Sequence, residues 1–163
     1  MARFTRRKPA PIVKGRYQKF RPFVREDFEE CCAYCCLHEF WAQGDKGFDI
    51  DHFYPRREFE KKDPEKEKDF YNLCWSCAAC NRKGQKGDRW PSEKEWAKGI
   101  RFIDLCTDDF DDHYRVLDDG TIEGLTESAR WTIDAILLNR DHLIQMRAFL
   151  ILRGYEMGKP PPK

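Results

Sequence analysis

Residues 72–88 read NLCWSCAACNRKGQKGD and carry two cysteines separated by two residues, Cys77 and Cys80. A second pair with the same spacing, Cys32 and Cys35, lies earlier in the chain, and 41 residues separate Cys35 from Cys77. Each C-x-x-C turn brings two thiolates to one point, and two such turns complete the tetrahedral set of a structural Zn²⁺ at sulfur distances of ~2.3 Å. The spacing therefore predicts a zinc-stapled core, in which the metal contributes folding energy on the order of 10 kcal/mol.

Other side chains could replace one of these four ligands, and the spacing alone leaves those alternatives open. They are Cys31 and Cys36 beside the first pair, Cys74 three residues before Cys77, and the imidazole of His38. Cys106 stands apart from both clusters, and we expect it to be a small buried residue.

The composition favours one domain with a modest core. The chain has 163 residues, of which 40% are hydrophobic and 36% are charged. It starts with MARFTRRKPAPI, which lacks an apolar signal region, and its longest apolar run, 148–152, is far shorter than the ~20 residues that cross a bilayer. We therefore expect a cytoplasmic protein without a membrane span, whose eight cysteines bind metal rather than form disulfides.

The net charge of +1 conceals an uneven distribution. Residues 1–25 hold nine Lys or Arg and no acid, residues 81–101 hold seven basic and three acidic residues, and residues 104–123 hold eight acidic and one basic residue. Basic stretches suit a polyanionic partner, although a basic run is as often a solvated face. Residues 1–23 also contain three prolines, which predicts an extended arm ordered only by contact with something.

The periodicity predicts an α+β fold of short elements. In chain order these are a helix at 24–30, strands at 48–51 and 71–75, a helix starting at Asn81, a short helix opened by Ser92, a hairpin across 114–122, and helices capped by Thr126 and Asp141. The segment 56–69 is charged at 12 of 14 positions and is expected to be a solvated loop. We divide the chain into an arm (1–23), a core (24–91) and a C-terminal hairpin and helical segment (92–163).

The segment FDIDHFYPRR, residues 48–57, and the segment 72–88 together resemble the HNH endonucleases, the ββα-metal nuclease family. The family pattern is C-x-x-C, then D-H-x-x-P, then N-L-x-x-x-C-x-x-C-[HN]-x-x-K. This chain matches it, in order, at Cys32, Cys35, Asp51, His52, Pro55, Asn72, Leu73, Cys77, Cys80, Asn81 and either Lys83 or Lys86. The resemblance implies a treble-clef-like ββα core and selects Cys77 rather than Cys74 as a zinc ligand.

The resemblance also implies roles for single residues. His52 would activate water as the general base, and Asn72 would orient it by pinning the following loop through backbone hydrogen bonds. Asp51 and Asn81 would hold one Mg²⁺ or Mn²⁺. These roles suit phosphodiester hydrolysis, because a histidine can accept a proton near neutral pH and a hard cation stabilises the phosphate and the leaving oxygen.

The strand geometry sets a condition on this site. Neighbouring residues of a strand point to opposite faces, so Asp51 and His52 serve one site only if the chain leaves the strand there. Pro55 gives the chain a reason to turn. Asp49 shares a strand face with Asp51, so it could assist the metal or be an exposed strand residue.

Five basic residues flank the predicted site and are expected to contact phosphates: Arg56, Arg57, Arg82, Lys83 and Lys86. Tryptophans 75, 90 and 96 are expected mainly in the core, with base stacking as the alternative. His38, His113 and His142 are expected to be surface or capping residues. Phosphate contacts should then dominate DNA binding, with weak sequence preference and a steep salt dependence.

The leading hypothesis is a metal-dependent DNA endonuclease. The segments 111–126 and 132–147 resemble, at the level of fold, the tail of HNH proteins that accompany ATPases in Septu-type anti-phage systems. That resemblance implies an ATPase or another defence subunit as a partner. The alternatives are a non-catalytic zinc module that binds nucleic acid or a partner protein, and a nuclease that cuts RNA or acts only inside a complex.

Overall fold

The computed structural model describes residues 2–60, 62–82, 85–87 and 89–160, so the predicted phosphate contact Lys83 lies outside the described residues. Within them the fold is a mixture of short helices and two small antiparallel sheets. The elements are α1 (Arg21–Asp27), β1 (Phe48–His52), α2 (Arg56–Phe59), β2 (Leu73–Cys77), α3 (Ala78–Asn81), α4 (Glu93–Trp96), α5 (Phe110–His113), β3 (Tyr114–Val116), β4 (Ile122–Gly124), α6 (Glu127–Ile136) and α7 (Asp141–Leu152).

The β1–β2 hairpin is the centre of the core. Its antiparallel register pairs Phe48 with Cys77 and His52 with Leu73. All five residues of β2 are buried, and Trp75 stacks on Phe48 with ring centroids 5.5 Å apart. The strand is buried throughout because α1 packs against it as well as β1.

Three predicted elements are displaced along the chain. The first helix starts at Arg21 rather than at residue 24, with Pro22 in its first turn, where the missing N–H removes no helical bond. The strand predicted at 71–75 lies at Leu73–Cys77. The helix predicted to start at Asn81 instead ends there, because Arg82 returns to extended backbone.

The N-terminal segment is extended and packs against the core. Phe4 is buried, and its backbone N–H donates to the carbonyl of Leu105 at 3.0 Å. Arg7 donates to the carboxylate of Asp27 at 2.7 Å. The arm is therefore extended, as predicted, and the contacts that order it are apolar burial and ion pairs within the chain itself.

The C-terminal segment follows the predicted order. Thr126 caps α6 by accepting the N–H of Ala129, as predicted, and Ser92 opens α4, where it forms a capping box with Glu95. The predicted cap at Asp141 is wrong, because α7 starts at that residue and its N-cap residue, Arg140, makes no side-chain capping bond. One hydrophobic cluster includes residues of all three predicted segments of the chain. Over the described ranges, no helix has the length and apolar character that a membrane crossing requires.

Candidate functional site

Four buried cysteines lie close together at the end of the β1–β2 hairpin where α3 begins. The sulfur atoms of Cys32, Cys35, Cys77 and Cys80 all lie within 4.8 Å of one another, and those of Cys35 and Cys77 are 3.8 Å apart. A tetrahedron with metal–sulfur distances of ~2.3 Å has edges of about 3.8 Å, so the set fits Zn²⁺. A turn after α1 supplies two of the sulfurs, and the end of β2 and α3 supply the others.

The hydrogen bonds within this cluster favour thiolate at Cys32, whereas the bonds with Cys32 raise the pKa of Cys35 and of Cys80 well above the usual value. Burial opposes ionisation of Cys32, but hydrogen bonds from the neighbouring thiols outweigh burial and lower its pKa well below the usual value. The backbone N–H of Cys77 donates to the Cys32 sulfur at 3.4 Å, and the Arg140 guanidinium donates to the Cys80 sulfur at 3.8 Å. These four cysteines could therefore hold a metal such as zinc.

The alternative ligands lie outside this group. The Cys31 sulfur contacts the backbone carbonyl of Gly158, and Cys74 contacts the Tyr34 hydroxyl. Burial raises the pKa of Cys31 and of Cys36 to about 12, so both stay protonated at neutral pH. The remaining alternative is His38, whose Nδ1 caps a 3₁₀ turn at Glu39–Trp41.

His52 ends β1 and is oriented by the charged loop. Its Nε2 lies 3.0 Å from the carbonyl oxygen of Glu67. A carbonyl only accepts, so Nε2 must carry the hydrogen, and the neutral ring has its lone pair at Nδ1. Burial lowers the pKa of His52, although the Glu67 carbonyl opposes that effect. The imidazole is therefore neutral at pH 7 and competent as a base.

Two aromatic rings cover His52. The Tyr17 ring lies edge-on with its centroid 4.8 Å from that of the imidazole, and Phe59 of α2 lies at 5.8 Å. Only 5% of His52 is exposed. A substrate phosphate would therefore reach the imidazole only after Tyr17 moves.

Asp51 lies in a separate, buried network. Since the β1–β2 ladder continues through residue 52, Asp51 and His52 point to opposite faces of the strand, and the exit from the strand between them is not observed. The Asp51 carboxylate accepts the Tyr34 hydroxyl at 2.6 Å and lies 3.8 Å from the Lys86 ammonium. Burial raises the pKa of Asp51, although the charge of Lys86 opposes this.

Lys86, a predicted phosphate contact, has no exposed surface. Its ammonium donates to the carbonyl of His52 at 3.2 Å and faces the Asp51 carboxylate. The side chain thus ties the segment after α3 to the end of β1, and its charge offsets that of a buried carboxylate.

Asn72 holds the loop that follows His52. Its side-chain oxygen accepts the N–H of Tyr54 at 2.7 Å, and its side-chain nitrogen donates to the carbonyl of Tyr54 at 3.0 Å. Together the two bonds satisfy both backbone hydrogen-bonding groups, the N–H and the C=O, of the residue two positions after His52. The Asn72 amide therefore fixes the direction in which the chain leaves β1.

Asn81 lies at the end of α3 and lines a cavity of about 360 Å³. The same cavity is lined by Tyr17, Arg21 and Asp49, together with Gln18 and Ile50. Tyr17 also contacts His52, so this one ring joins the imidazole to the cavity. Asn81 and Asp49 thus line one cavity, whereas the contacts of Asp51 lie with Tyr34 and Lys86.

The remaining basic residues differ in their availability. Arg56 pairs with Glu67 at 3.2 Å, and Arg57 pairs with Glu58 at 3.0 Å, both with about half of the side chain exposed. Arg82 is exposed and has no side-chain partner among the residues that the structure describes. The loop 56–69 was predicted only to be solvated, yet it carries the carbonyl that orients His52. Its charge pattern holds no signal for that role.

A scan against protein-family models and a search of curated proteins find no match for this chain. A functional assignment must therefore be argued from the residues and the geometry described above. The two features that bear most on such an assignment are the four-cysteine cluster and the imidazole with its free Nδ1.

Proposed function

We propose that the protein is a metal-dependent endonuclease of the HNH type that hydrolyses phosphodiester bonds in DNA. One observation carries the proposal: the Glu67 carbonyl fixes the His52 tautomer, so that a neutral ring presents a basic Nδ1. The hairpin that bears His52 leads directly into the helix that ends at Asn81. The order of strand, strand and helix supports a treble-clef-like ββα core stapled by zinc.

In the proposed reaction, His52 Nδ1 accepts the proton of the attacking water. Asn72 keeps the loop and the imidazole in place through its bonds to Tyr54. A bound Mg²⁺ or Mn²⁺ would stabilise the negative charge on the phosphate and on the leaving oxygen. The arginines at 56 and 57 would contact the neighbouring phosphates of the strand.

Two carboxylates compete as partners of Asn81 in holding the cation. The resemblance to the HNH pattern assigns Asp51, whose carboxylate would have to give up contacts with Tyr34 and Lys86. The shared cavity favours Asp49, because it lines the same cavity as Asn81 and would have to give up only its exposed ion pair with Arg21 at 3.3 Å. Either pair supplies one carboxylate and one amide oxygen, which suits Mg²⁺ with several retained waters. An Asp49→Asn and Asp51→Asn comparison of Mn²⁺ affinity separates the two assignments.

The zinc ion would hold the surrounding elements in position and would take no part in the reaction. Four thiolates close the coordination sphere, so no position remains for water or substrate. The cluster joins the turn before β1 to the start of α3, which places Asn81 relative to the hairpin. Loss of zinc would therefore abolish cleavage through loss of fold.

The test is cleavage of supercoiled plasmid, and of a matched RNA, with Mg²⁺ or Mn²⁺ and with EDTA. We expect metal-dependent nicking of DNA by the wild type and none by His52→Ala, with the zinc content unchanged. His113→Ala is the matched control, because His113 contacts Thr126 far along the chain from the site, and it should cut normally. Equal cleavage by His52→Ala and the wild type would refute the assignment. Cleavage of RNA and not of DNA would show that the substrate is RNA.

A partner protein is part of this proposal. The resemblance of the tail to Septu-type HNH proteins supports an ATPase subunit of an anti-phage complex as that partner. Phe149, Ile151 and Leu152 near the end of α7 are exposed, which supports a contact surface there. Co-purification of a nuclease–ATPase complex, and its loss in Leu152→Asp, would test this point.

One observation favours a second function, a non-catalytic zinc module that binds nucleic acid or a protein. The imidazole of His52 is covered by two rings, and Asp51 already has two polar partners. A purely structural role for both residues would produce these contacts. The module would bind DNA or a protein without cutting, and Mn²⁺ would not bind at Asn81.

A further inference from the structure

A second cavity, of about 380 Å³, lies between the segment 77–85 and the start of α7. Cys77, Ala79 and Arg82 line one side, and Arg140 and His142 line the other. Its described lining shares no residue with the cavity at Asn81. The volume falls within the roughly 300–1,000 Å³ typical of small-ligand sites.

The polar part of this cavity is basic. Arg82, Arg140 and His142 contribute to it, and none of the described lining residues carries a carboxylate. The side chain of Arg82 has no partner among the described residues. The terminal nitrogens of Arg140 contact Gln85 and the Cys80 sulfur, and only its buried Nε is unpaired among those residues. An unpaired guanidinium beside an open volume favours an anionic ligand, because a phosphate accepts several such bonds at once.

The three basic groups are close enough to affect one another. Burial lowers the pKa of His142, and the positive charge of Arg140 lowers it further, with a smaller contribution from Arg82. Asp141 opposes this effect but does not line the cavity. A bound anion would relieve the repulsion among these groups.

The rest of the cavity is apolar and includes one flat aromatic ring. Trp41 lines it together with Leu143 and Met146. The indole is held in place by contacts with Phe149 and Tyr155, at centroid distances of 6.2 and 5.5 Å. The amide of Gln43 also lines the cavity and could bond to the edge of a ring, whereas the amide of Gln85 bonds to the Ala79 carbonyl and to Arg140. The site thus combines an aromatic wall, one amide group and a basic end.

We propose that this cavity binds a nucleotide, with the phosphate on Arg82 and Arg140 and the base against Trp41. The nucleotide is either free or the terminal unit of a nucleic-acid strand, since both present the same phosphate and base. The proposal reassigns Arg82 from the predicted catalytic side to this cavity. It does not depend on phosphodiester hydrolysis, since binding at this site needs neither His52 nor the catalytic cation.

The test is calorimetric titration with AMP, adenosine and inorganic phosphate, without divalent cation. We expect one AMP per chain, bound about tenfold more tightly than adenosine or phosphate. Arg82→Gln should weaken AMP binding about tenfold and leave adenosine unchanged. Arg89→Gln is the matched control, because Arg89 is exposed seven residues further along and does not line the cavity.

Trp41→Leu tests the base contact, with circular dichroism to verify its fold. It should reduce the affinity for AMP to that for phosphate. AMP binding no tighter than phosphate binding, or equal AMP affinity in Arg82→Gln and the wild type, would overturn the proposal for a free nucleotide.

Competition then distinguishes the two sources of the nucleotide, with His52→Ala used so that no strand is cut. Displacement of AMP by a short 5′-phosphorylated DNA strand, and not by the unphosphorylated strand, assigns the cavity to a strand end. Arg82-dependent AMP binding without displacement assigns it to a free nucleotide. If neither AMP nor the phosphorylated strand binds in an Arg82-dependent way, the proposal is wrong.

Discussion

We propose that the core depends on a zinc ion bound by the four cysteines, so replacing Cys80 with serine should unfold the protein. Structural zinc contributes roughly 10–16 kcal/mol in small zinc domains. The four sulfurs are buried and lie within 4.8 Å of one another, so a weakly binding hydroxyl leaves a three-ligand site. Loss of even half of the zinc contribution, about 5–8 kcal/mol, approaches the whole stability of a typical domain, about 5–15 kcal/mol.

The assay combines zinc content with thermal unfolding followed by far-UV circular dichroism. We expect one zinc per chain in the wild type, and no bound zinc and no cooperative transition in Cys80→Ser. Cys106→Ser is the matched control, because Cys106 is only half-buried and lies outside the cluster. It should keep the zinc and most of the stability. A Cys80→Ser protein with one zinc and an unchanged transition would refute the structural role of the cluster.

Three other substitutions test separate parts of the structure. Asn72→Ala removes two loop hydrogen bonds and should lower DNA cleavage about 10²-fold with zinc retained; wild-type cleavage rates would contradict the positioning role. Gly120→Ala should cost about 2 kcal/mol or more in urea unfolding, because φ is +85° and the new Cβ would lie 2.2 Å from a backbone oxygen of α7. Gly99→Ala, also at positive φ but in open space, should cost less, and equal losses would count against the packing argument. Burial raises the pKa of Asp108, but hydrogen bonds, chiefly from Arg101, outweigh this and lower it. The stability from that pair is therefore present above the unfolded pKa of about 3.9 and lost as pH falls through the folded value. In Asp108→Asn, acid unfolding should begin from a stability about 1–3 kcal/mol lower and show a shallower pH dependence; an unchanged acid limb would show that the pair contributes nothing.

The sequence predicted the features that depend on contacts between residues a few positions apart in the chain. Thr126 and Ser92 cap helices because their hydroxyls accept N–H groups within three residues, a contact that needs no tertiary structure. The C-x-x-C spacing likewise predicted the four-cysteine cluster, since each pair requires only one turn. Sequence reasoning therefore found the four cysteines that could hold a metal and the order of the elements.

Long-range contacts decide the features that the sequence did not indicate. Lys86 is buried because the Asp51 carboxylate lies opposite it, and nothing near Lys86 in the chain predicts that contact. Tyr17 packs on His52 across 35 residues, and Glu67 orients the same ring through a backbone atom, which any residue type could supply. A backbone carbonyl leaves no signature in a residue pattern.

The cavities also depend on tertiary packing. Because neighbouring strand residues point to opposite faces, Asp51 and His52 could share one site only if β1 ended between them. The structure instead pairs both residues with β2. As a result Asn81 shares a cavity with Asp49 instead. Arg140 and His142 line one cavity with Arg82 only because the start of α7 packs near residues 77–82. Neither arrangement can be derived from spacing along the chain.

Location of Mn²⁺ in crystals by anomalous diffraction is the most direct test of the central claim, that a structural zinc and a separate catalytic cation share one small core. We predict zinc within the four-cysteine cluster and Mn²⁺ within coordination distance of the Asn81 amide oxygen and of a carboxylate of β1, either Asp49 or Asp51. Zinc at the cysteines with no Mn²⁺ beside Asn81, at manganese concentrations that support DNA cleavage, would contradict it.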